Sequence, residues 1–302
     1  MSDGRLWLID ASIYIFRAWF SLPDRWHTDD GLPLNAVYGY TSFLLDLIER
    51  VGPAEHMAAA FDESLGTCFR NEIYLDYKSS RELPDEALAF QLDSCRHVTE
   101  LLGLACFGGP RFEADDYIAA LASLAHRAGV PVTVVTRDKD LGQLLYHEHD
   151  YWWDFAADGR LDIAAFNERF GVQPNQFADY LALVGDPVDD IPGVPGVGPK
   201  SAAALLTHYG NLESLGSSLA TVADLPLRGS ARIAQRLEEH WQQVQLARRL
   251  TGLAREVPGV DAVPKVATQA EHYEILAGQL ADWGLPKALQ TRCLKAAHRL
   301  QQ

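Results

Sequence analysis

The chain has 302 residues, 48% of them hydrophobic, and a formal charge of −15. That is long enough for two domains with real cores, and too acidic for a protein that coats nucleic acid by bulk positive charge. A nuclease that spends its acids on metal stays open, whereas the scattered Cys68, Cys95, Cys106 and Cys293 argue against a zinc site or a disulfide framework.

The opening MSDGRLWLID has no basic n-region and no long apolar h-region. No apolar run reaches the ~18 residues of a membrane span, so a reducing, cytoplasmic setting is expected. Arg5 to Ile9 reads as a buried strand that Asp10 ends. Asn35 to Glu49 reads as a helix, with Val37, Tyr40, Phe43, Leu44, Leu47 and Ile48 at helical spacing. His56 to Phe61 reads as a second strand, ended by Asp62. Residues 63–90 break the α/β rhythm and carry Arg70, Tyr74, Tyr77, Lys78 and Arg81. A segment of that length without regular structure is expected to be functional.

A helix resumes from Glu86 to Leu102, and a short strand covers Leu104–Phe107. Glu113, Asp115 and Asp116 then open an apolar, helix-like segment. Val132 to Val135 reads as a strand, followed at once by Asp138 and Asp140. A short helix at 141–145, a hairpin near 151–161 and a helix near 163–170 come next. Gln173-Pro174-Asn175 starts another helix, with Phe177, Tyr180, Leu181 and Val184 on one face, and Gly185 stops it. Asp186 and Asp189 stand three apart. Val194-Pro195-Gly196-Val197-Gly198 is a Gly/Pro-rich hairpin, and Pro199 is well placed as a first helical residue. The helix runs to His208, Asn211 can cap the next, 229–255 reads as a further helix, and the last ~40 residues are helix-rich without an assignable role.

The informative pattern is three short apolar strands that each deliver an Asp at the carboxyl end. Taken singly, each is a strand-ending turn residue, and acids in a first helical turn suit the helix dipole. Taken together they converge, because ligands of open α/β sheets bind beyond the carboxyl ends of the strands. Oxygen donors gathered there suit hard divalent cations. The Gly-rich turn leading into a helix N-terminus suits a phosphate of a duplex backbone, bound without reading bases.

The strings LIDASIYIFRAW, NAVYGYTSFL, AAFDES, CFRNEIYLDYKSSR, FEADDYIA, TRDKDLGQLL and LVGDPVDDIPGVPGVGPKSA resemble, in family order from Leu6 to about Gly210, the 5′-nuclease (flap endonuclease) family. That family includes the N-terminal domain of bacterial DNA polymerase I and stand-alone enzymes, and the chain looks like a stand-alone member. The resemblance implies a PIN-like α/β domain over 1–172 with a basic arch at about 63–90. It implies a helical DNA-binding domain over 173–302, with a helix–three-turn–helix at about 186–210. It implies metal ligation by Asp10, Asp62, Glu113, Asp115, Asp116, Asp138, Asp140, Asp186 and Asp189, holding two Mg2+ or Mn2+. Lys78, Arg81 and Arg70 fall on the arch cations of the reaction. DNA contacts are expected from Tyr77, Arg17, Gly196, Gly198, Lys200 and Ser201, with Tyr77 stacking on a terminal base, and a potassium ion at the carbonyls of Val194 and Val197.

The activity so implied is 5′-3′ exonuclease and flap endonuclease cleavage by a monomer, acting on DNA with 5′ flaps or 5′ ends and on RNA–DNA primers in replication and repair. Three positions depart from the family pattern. Arg137 stands where Gly is usual, placed to crowd the metal edge or to help hold a phosphate. Asp190 stands for Asn and Ala11 for Gly. A PIN-like ribonuclease and a nuclease-inactive, structure-specific DNA-binding protein remain as alternatives; the long basic segment and Gly-rich hairpin count against the first, the full acid set against the second.

Overall fold

A computed structural model describes residues 4–64 and 66–301. The reading of residues 1–3 as leaderless, and Leu65 of the expected arch, lie outside the described residues.

Six strands form one sheet in the order β3-β2-β1-β4-β5-β6. They are β1 (Leu6–Asp10), β2 (His56–Ala60), β3 (Ala105–Phe107), β4 (Val132–Val135), β5 (Tyr151–Asp154) and β6 (Gly159–Leu161). The first five run parallel, and β6 pairs antiparallel with β5. Parallel strands are covered on both faces and so read as unbroken apolar runs, as VTVV in β4 and HMAAA in β2 do. The order reverses between β1 and β4, which puts a topological switch point where Asp10 and Asp138 leave the sheet.

The helices are α1 (Ala11–Ser21), α2 (Asn35–Val51), α3 (Phe69–Ile73), α4 (Glu86–Leu101), α5 (Ala114–Arg127), α6 (Ile163–Phe170), α7 (Phe177–Val184), α8 (Pro199–Tyr209), α9 (Leu212–Gly216), α10 (Ser230–Thr251), α11 (Ala270–Asp282) and α12 (Lys287–Leu300). The period-2 alternation of the strands divides the core. Leu6, Leu8, Ala58, Ala60, Val132 and Val134 face α5, and this layer runs without a break into the buried residues of α7, α8 and α10. Ile9, Met57, Ala59 and Val135 face the other way, toward α1, α2 and α4.

That second layer has a cover the sequence did not assign. After α10 the chain crosses back to the sheet, where the Val266 and Ala267 amides donate to the Glu55 and Gly103 carbonyls, 2.9 and 2.8 Å. Gly103 sits at φ 81°, and a Cβ there would lie 2.6 Å from the Thr268 amide, so the crossing needs glycine. Tyr273, Leu276 and Leu280 of α11 and Leu289, Cys293 and Ala297 of α12 then complete the α2/α4 core.

Candidate active site

Four carboxylates leave the carboxyl edge of the sheet or the start of α5 with no ion-pair partner among the described residues: Asp10, Asp62, Asp115 and Asp138. Asp10 ends β1 and caps α1, and one of its oxygens accepts from Thr136 Oγ1 at 2.8 Å. Asp62 follows β2; its amide donates to Ser12 Oγ at 2.7 Å, and its carboxylate accepts from Ser64. Asp138 follows β4 and caps a short 3-10 turn through the Asp140 amide, 2.8 Å. Asp115 stands in the first turn of α5.

Burial and mutual repulsion hold Asp10, Asp115 and Asp62 above the usual carboxylate range. Burial, with the charge of Asp138 and then Asp62, pushes Asp10 up to about 7 against the donated bond of Thr136. Burial and the charges of Asp138 and Asp10 push Asp115 well above the usual carboxylate range. Burial and Glu113 push Asp62 up. These cross-terms are the signature of carboxylates that share one field.

The remaining acids are matched by the protein's own cations. The Lys78 ammonium binds Glu113 and lies 3.8 Å from Asp189. Arg81 pairs with Asp189 at 2.7 Å, and Lys139 pairs with Asp186 at 2.7 Å and Asp140 at 3.2 Å. Burial alone would raise Glu113, but Lys78 and Arg70 outweigh it and hold the carboxyl below its ordinary value. Asp140, with burial and Asp138 against Lys139, is pushed up to about 8.

Three expectations need correction here. Arg70 does not face an incoming phosphate. It is 2% exposed and spends all five donors inside the protein: on Glu113 (2.8 Å), on both oxygens of Asp116 (2.7 and 2.8 Å), and on the Leu250 and Gly252 carbonyls (2.9 and 2.8 Å). Asp116 is fully buried, takes a further bond from the Ala254 amide and is committed to Arg70 rather than open to an ion. Tyr77 is 3% exposed and donates to Glu113 at 2.8 Å, so its ring is not available to stack on a base. Arg137 likewise turns outward, to Asp154 at 3.2 Å, and leaves the metal edge uncrowded. Ala11 is absorbed into the buried start of α1.

Arg17 lies exposed on α1. The turn before α8 has the expected form: Gly196 adopts φ 83°, Gly198 caps α8, Pro199 is the first helical residue, and Lys200 is exposed beside the half-buried Ser201. The Val194 and Val197 side chains are buried, and the Val194 carbonyl accepts from the Val197 amide at 3.0 Å. Gln243 of α10 braces this turn through the Gly193 carbonyl, 2.9 Å.

Comparison with known proteins decides the family. Residues 5–171 match the model of the 5′-3′ exonuclease N-terminal resolvase-like domain, and 172–274 match that of the 5′-3′ exonuclease C-terminal SAM fold. The chain belongs to the 5′-3′ exonuclease family. It is 39% identical over 259 residues to DNA polymerase I of Mycobacterium tuberculosis, covering 84% of this chain and 27% of that protein. The chain thus spans about a quarter of the length of the polymerase relatives it matches. It is 37% identical to a 5′-3′ exonuclease of Aquifex aeolicus, over 70% of this chain and 71% of that one. Among solved structures, the phage T5 5′-exonuclease with divalent metal ions (zinc) bound shares the fold at TM-score 0.66 and 18% identity, over 99% of this chain and all of that one. The catalytic core of Rad2 in complex with a DNA substrate does so at TM-score 0.64 and 14% identity, over 97% of this chain and 92% of that one.

The matched family models are those of 5′-3′ exonuclease domains, and the phage T5 structure that shares the fold carries divalent metal ions. The bare acids fit a hard divalent cation by donor chemistry, since they offer oxygen ligands only. Among the described residues no three acid, imidazole or thiolate groups close around a single point.

Sequence reasoning missed the residues that hold the acids in place. Thr136 and Ser12 carry no signal of their own. Lys139 alone was within reach, since it stands between two acids in RDKD.

Proposed function

We propose that this 5′-3′ exonuclease acts as a flap endonuclease and exonuclease on DNA with 5′ flaps or 5′ ends, using two divalent ions, Mg2+ or Mn2+. The observation that carries the reading is the set of four unpaired carboxylates, Asp10, Asp62, Asp115 and Asp138, beside a half-buried lysine on an irregular strap. Asp10, Asp62, Asp115 and Asp138 would hold the first ion. Asp140, Asp186 and Asp189 would hold the second, and Glu113 would act through ordered water, since such ions take few carboxylates directly. Bound divalent ions supply an activated water and stabilise the leaving oxygen of the phosphodiester.

The rest is the work of the side chains. Lys78 lies between Glu113 and Asp189, and on transfer from Glu113 to phosphate it neutralises charge that builds during hydrolysis. Arg81, 36% exposed, steers the strand. The strap from 74 to 83 crosses the opening, and a free 5′ single strand passes it. Gly196, Gly198, Lys200 and Ser201 hold a duplex phosphate at the N-terminus of α8, which leaves base identity unread. Arg17 contributes a second, exposed phosphate contact on α1. Potassium at the Val194 and Val197 carbonyls, RNA–DNA primers as substrates, a monomeric state and a cytoplasmic setting belong to the same reading. Among the described residues no helix is long and apolar enough to cross a membrane.

The test is a 5′-labelled flap duplex incubated with Mg2+ or with chelator. Cleavage near the junction only with Mg2+ is expected. Cleavage of single-stranded RNA in preference to the flap would favour a PIN-like ribonuclease. Tight flap binding without cleavage would favour an inactive DNA-binding protein.

A further inference from the structure

Lys78 reaches the acids from a backbone conformation that L-residues seldom adopt. Its φ is 52°, and the residue opposite, Asp190, has φ 57°; with Asp158 they are the non-glycine residues in the left-handed region among the described residues. Such a conformation persists only where its surroundings impose it. At Lys78 the surroundings are polar. Its amide donates to the Asp189 carbonyl at 3.1 Å, and the Tyr77 carbonyl accepts from Asn71 Nδ2 at 2.9 Å, so the 77–78 peptide is clamped from both sides. Two residues on, the Ser80 amide and hydroxyl both donate to Asp190 Oδ2, at 2.9 and 2.8 Å.

The other anchors of this strap are polar as well, Tyr77 and Lys78 on Glu113 and Arg81 on Asp189, and apolar packing adds little. From 74 to 83 the buried side chain is Tyr77, while Leu75 and Leu83 are 86% and 70% exposed. An open groove of about 470 Å³ runs along the joint, lined by Tyr74, Ser79, Pro187, Asp190 and Pro192 among others. The joint is therefore held by hydrogen bonds at a wet seam rather than by apolar packing. On the other side, Asp186 fixes the facing turn: its carbonyl accepts from the Asp189 and Ile191 amides at 3.2 and 2.9 Å.

We propose that Asp190 and Ser80 are positioning residues for the nuclease reaction: their paired hydrogen bonds latch the strap to the turn that carries Asp186 and Asp189, and thereby hold Lys78 in its left-handed conformation with its ammonium among the acids. The inference rests on the proposed nuclease reading and adds to it that the strap is latched to the turn that carries two of the candidate acids. Asp190 acts through Lys78 and touches no reacting atom.

The experiment is single-turnover cleavage of a 5′-labelled flap duplex in saturating Mg2+, with affinity for the same DNA measured without metal. Asp190→Ala is expected to slow cleavage about tenfold through lost positioning, with affinity within about twofold of the wild type; Ser80→Ala should move the rate in the same direction. Asp190→Asn keeps an acceptor oxygen and should restore most of the rate. In a Lys78→Ala background, Asp190→Ala should cost nothing further, because the two changes remove one interaction. Hydrogen exchange at the Lys78 amide should quicken in Asp190→Ala, which reports the latch without reference to cleavage. An unchanged rate in Asp190→Ala, or an equal loss with Lys78 already removed, overturns the latch and leaves the nuclease reading standing. A wild type that fails to cut the flap overturns both.

Discussion

The acids at the strand ends and the acids beneath the strap lie side by side, yet the fold treats them oppositely. Asp10, Asp62, Asp115 and Asp138 have no cation at ion-pair distance among the described residues, and where a shift is resolved it is upward. Glu113, Asp116, Asp186 and Asp189 each have Lys78, Arg70, Lys139 or Arg81 against them. A carboxylate left without a partner in a protein that supplies partners next door is a place prepared for charge from outside. A carboxylate already paired either supports the fold, as Asp116 does on Arg70, or takes an outside charge only by exchanging its own cation, as Asp186 and Asp189 would. The difference teaches which of nine similar acids to remove first, and what each removal should do.

The largest effect is expected at the bare set. Asp138→Asn should lower cleavage by at least about 10²–10³-fold, the scale of losing a main electrostatic element of an active site, while raising the melting temperature in chelator. The sign follows from linkage. Asp10 and Asp140, with pKa values raised from 3.8 to about 7 and about 8, bind more protons folded than unfolded. Their contribution to stability is full below about 3.8 and is lost as pH rises through 7 to 8. The metal-free wild type should therefore melt lower at pH 8.5 than at pH 5, and Mg2+ should recover the loss at the higher pH by binding the folded form. A variant that melts below the wild type in chelator, with Mg2+ leaving the wild type unmoved, would erase the distinction between the two sets.

Next comes the support. Arg70→Met leaves Asp116 and much of Glu113 buried without their cation, and breaking such a pair costs about 3–5 kcal/mol. Chemical denaturation should show this with or without Mg2+, unlike the Asp138 variant. A loss of DNA affinity with stability intact would instead return Arg70 to the phosphate-facing role its sequence position suggested.

The strap lysine should split rate from binding. Lys78→Ala should slow single-turnover cleavage about 10²-fold and change flap affinity little; equal losses in both would make it a tether. The smallest effect belongs to the hairpin. Gly198→Val should weaken duplex binding about tenfold or less, equally for all sequences, because phosphate contacts carry no base information. Competition binding with duplexes of different sequence reads this directly, and a changed sequence preference would count against it.

The sheet-edge half of this picture was legible because local sequence encodes it. An apolar run followed at once by Asp states both a buried parallel strand and what leaves its end, so Asp10, Asp62 and Asp138 fell where expected, as did Gly198-Pro199 at the start of α8. The paired half was misread because its logic is tertiary. Arg70 looks like a surface cation until Leu250 and Gly252, about 180 residues away, are seen to enclose it. Tyr77 is an aromatic between charges in sequence and a buried donor to Glu113 in space. The left-handed backbone of Lys78 and Asp190 has no sequence signature, since neither is glycine.

The return of the chain to the sheet after α10 bears on how the molecule is made. The α2/α4 side of the first-synthesised half is sealed by residues 266–297, with Arg292 reaching back to Asp46 at 2.7 Å, 246 positions earlier. Contacts so remote in order form late. During translation, an emerging chain halted near residue 262 already has its strand-end acids and its hairpin, but the apolar flank of α4, the helix that follows the strap, is still open to solvent. A stop there should yield a sticky polypeptide that chaperones retain, because α11 and α12 are what cover that flank.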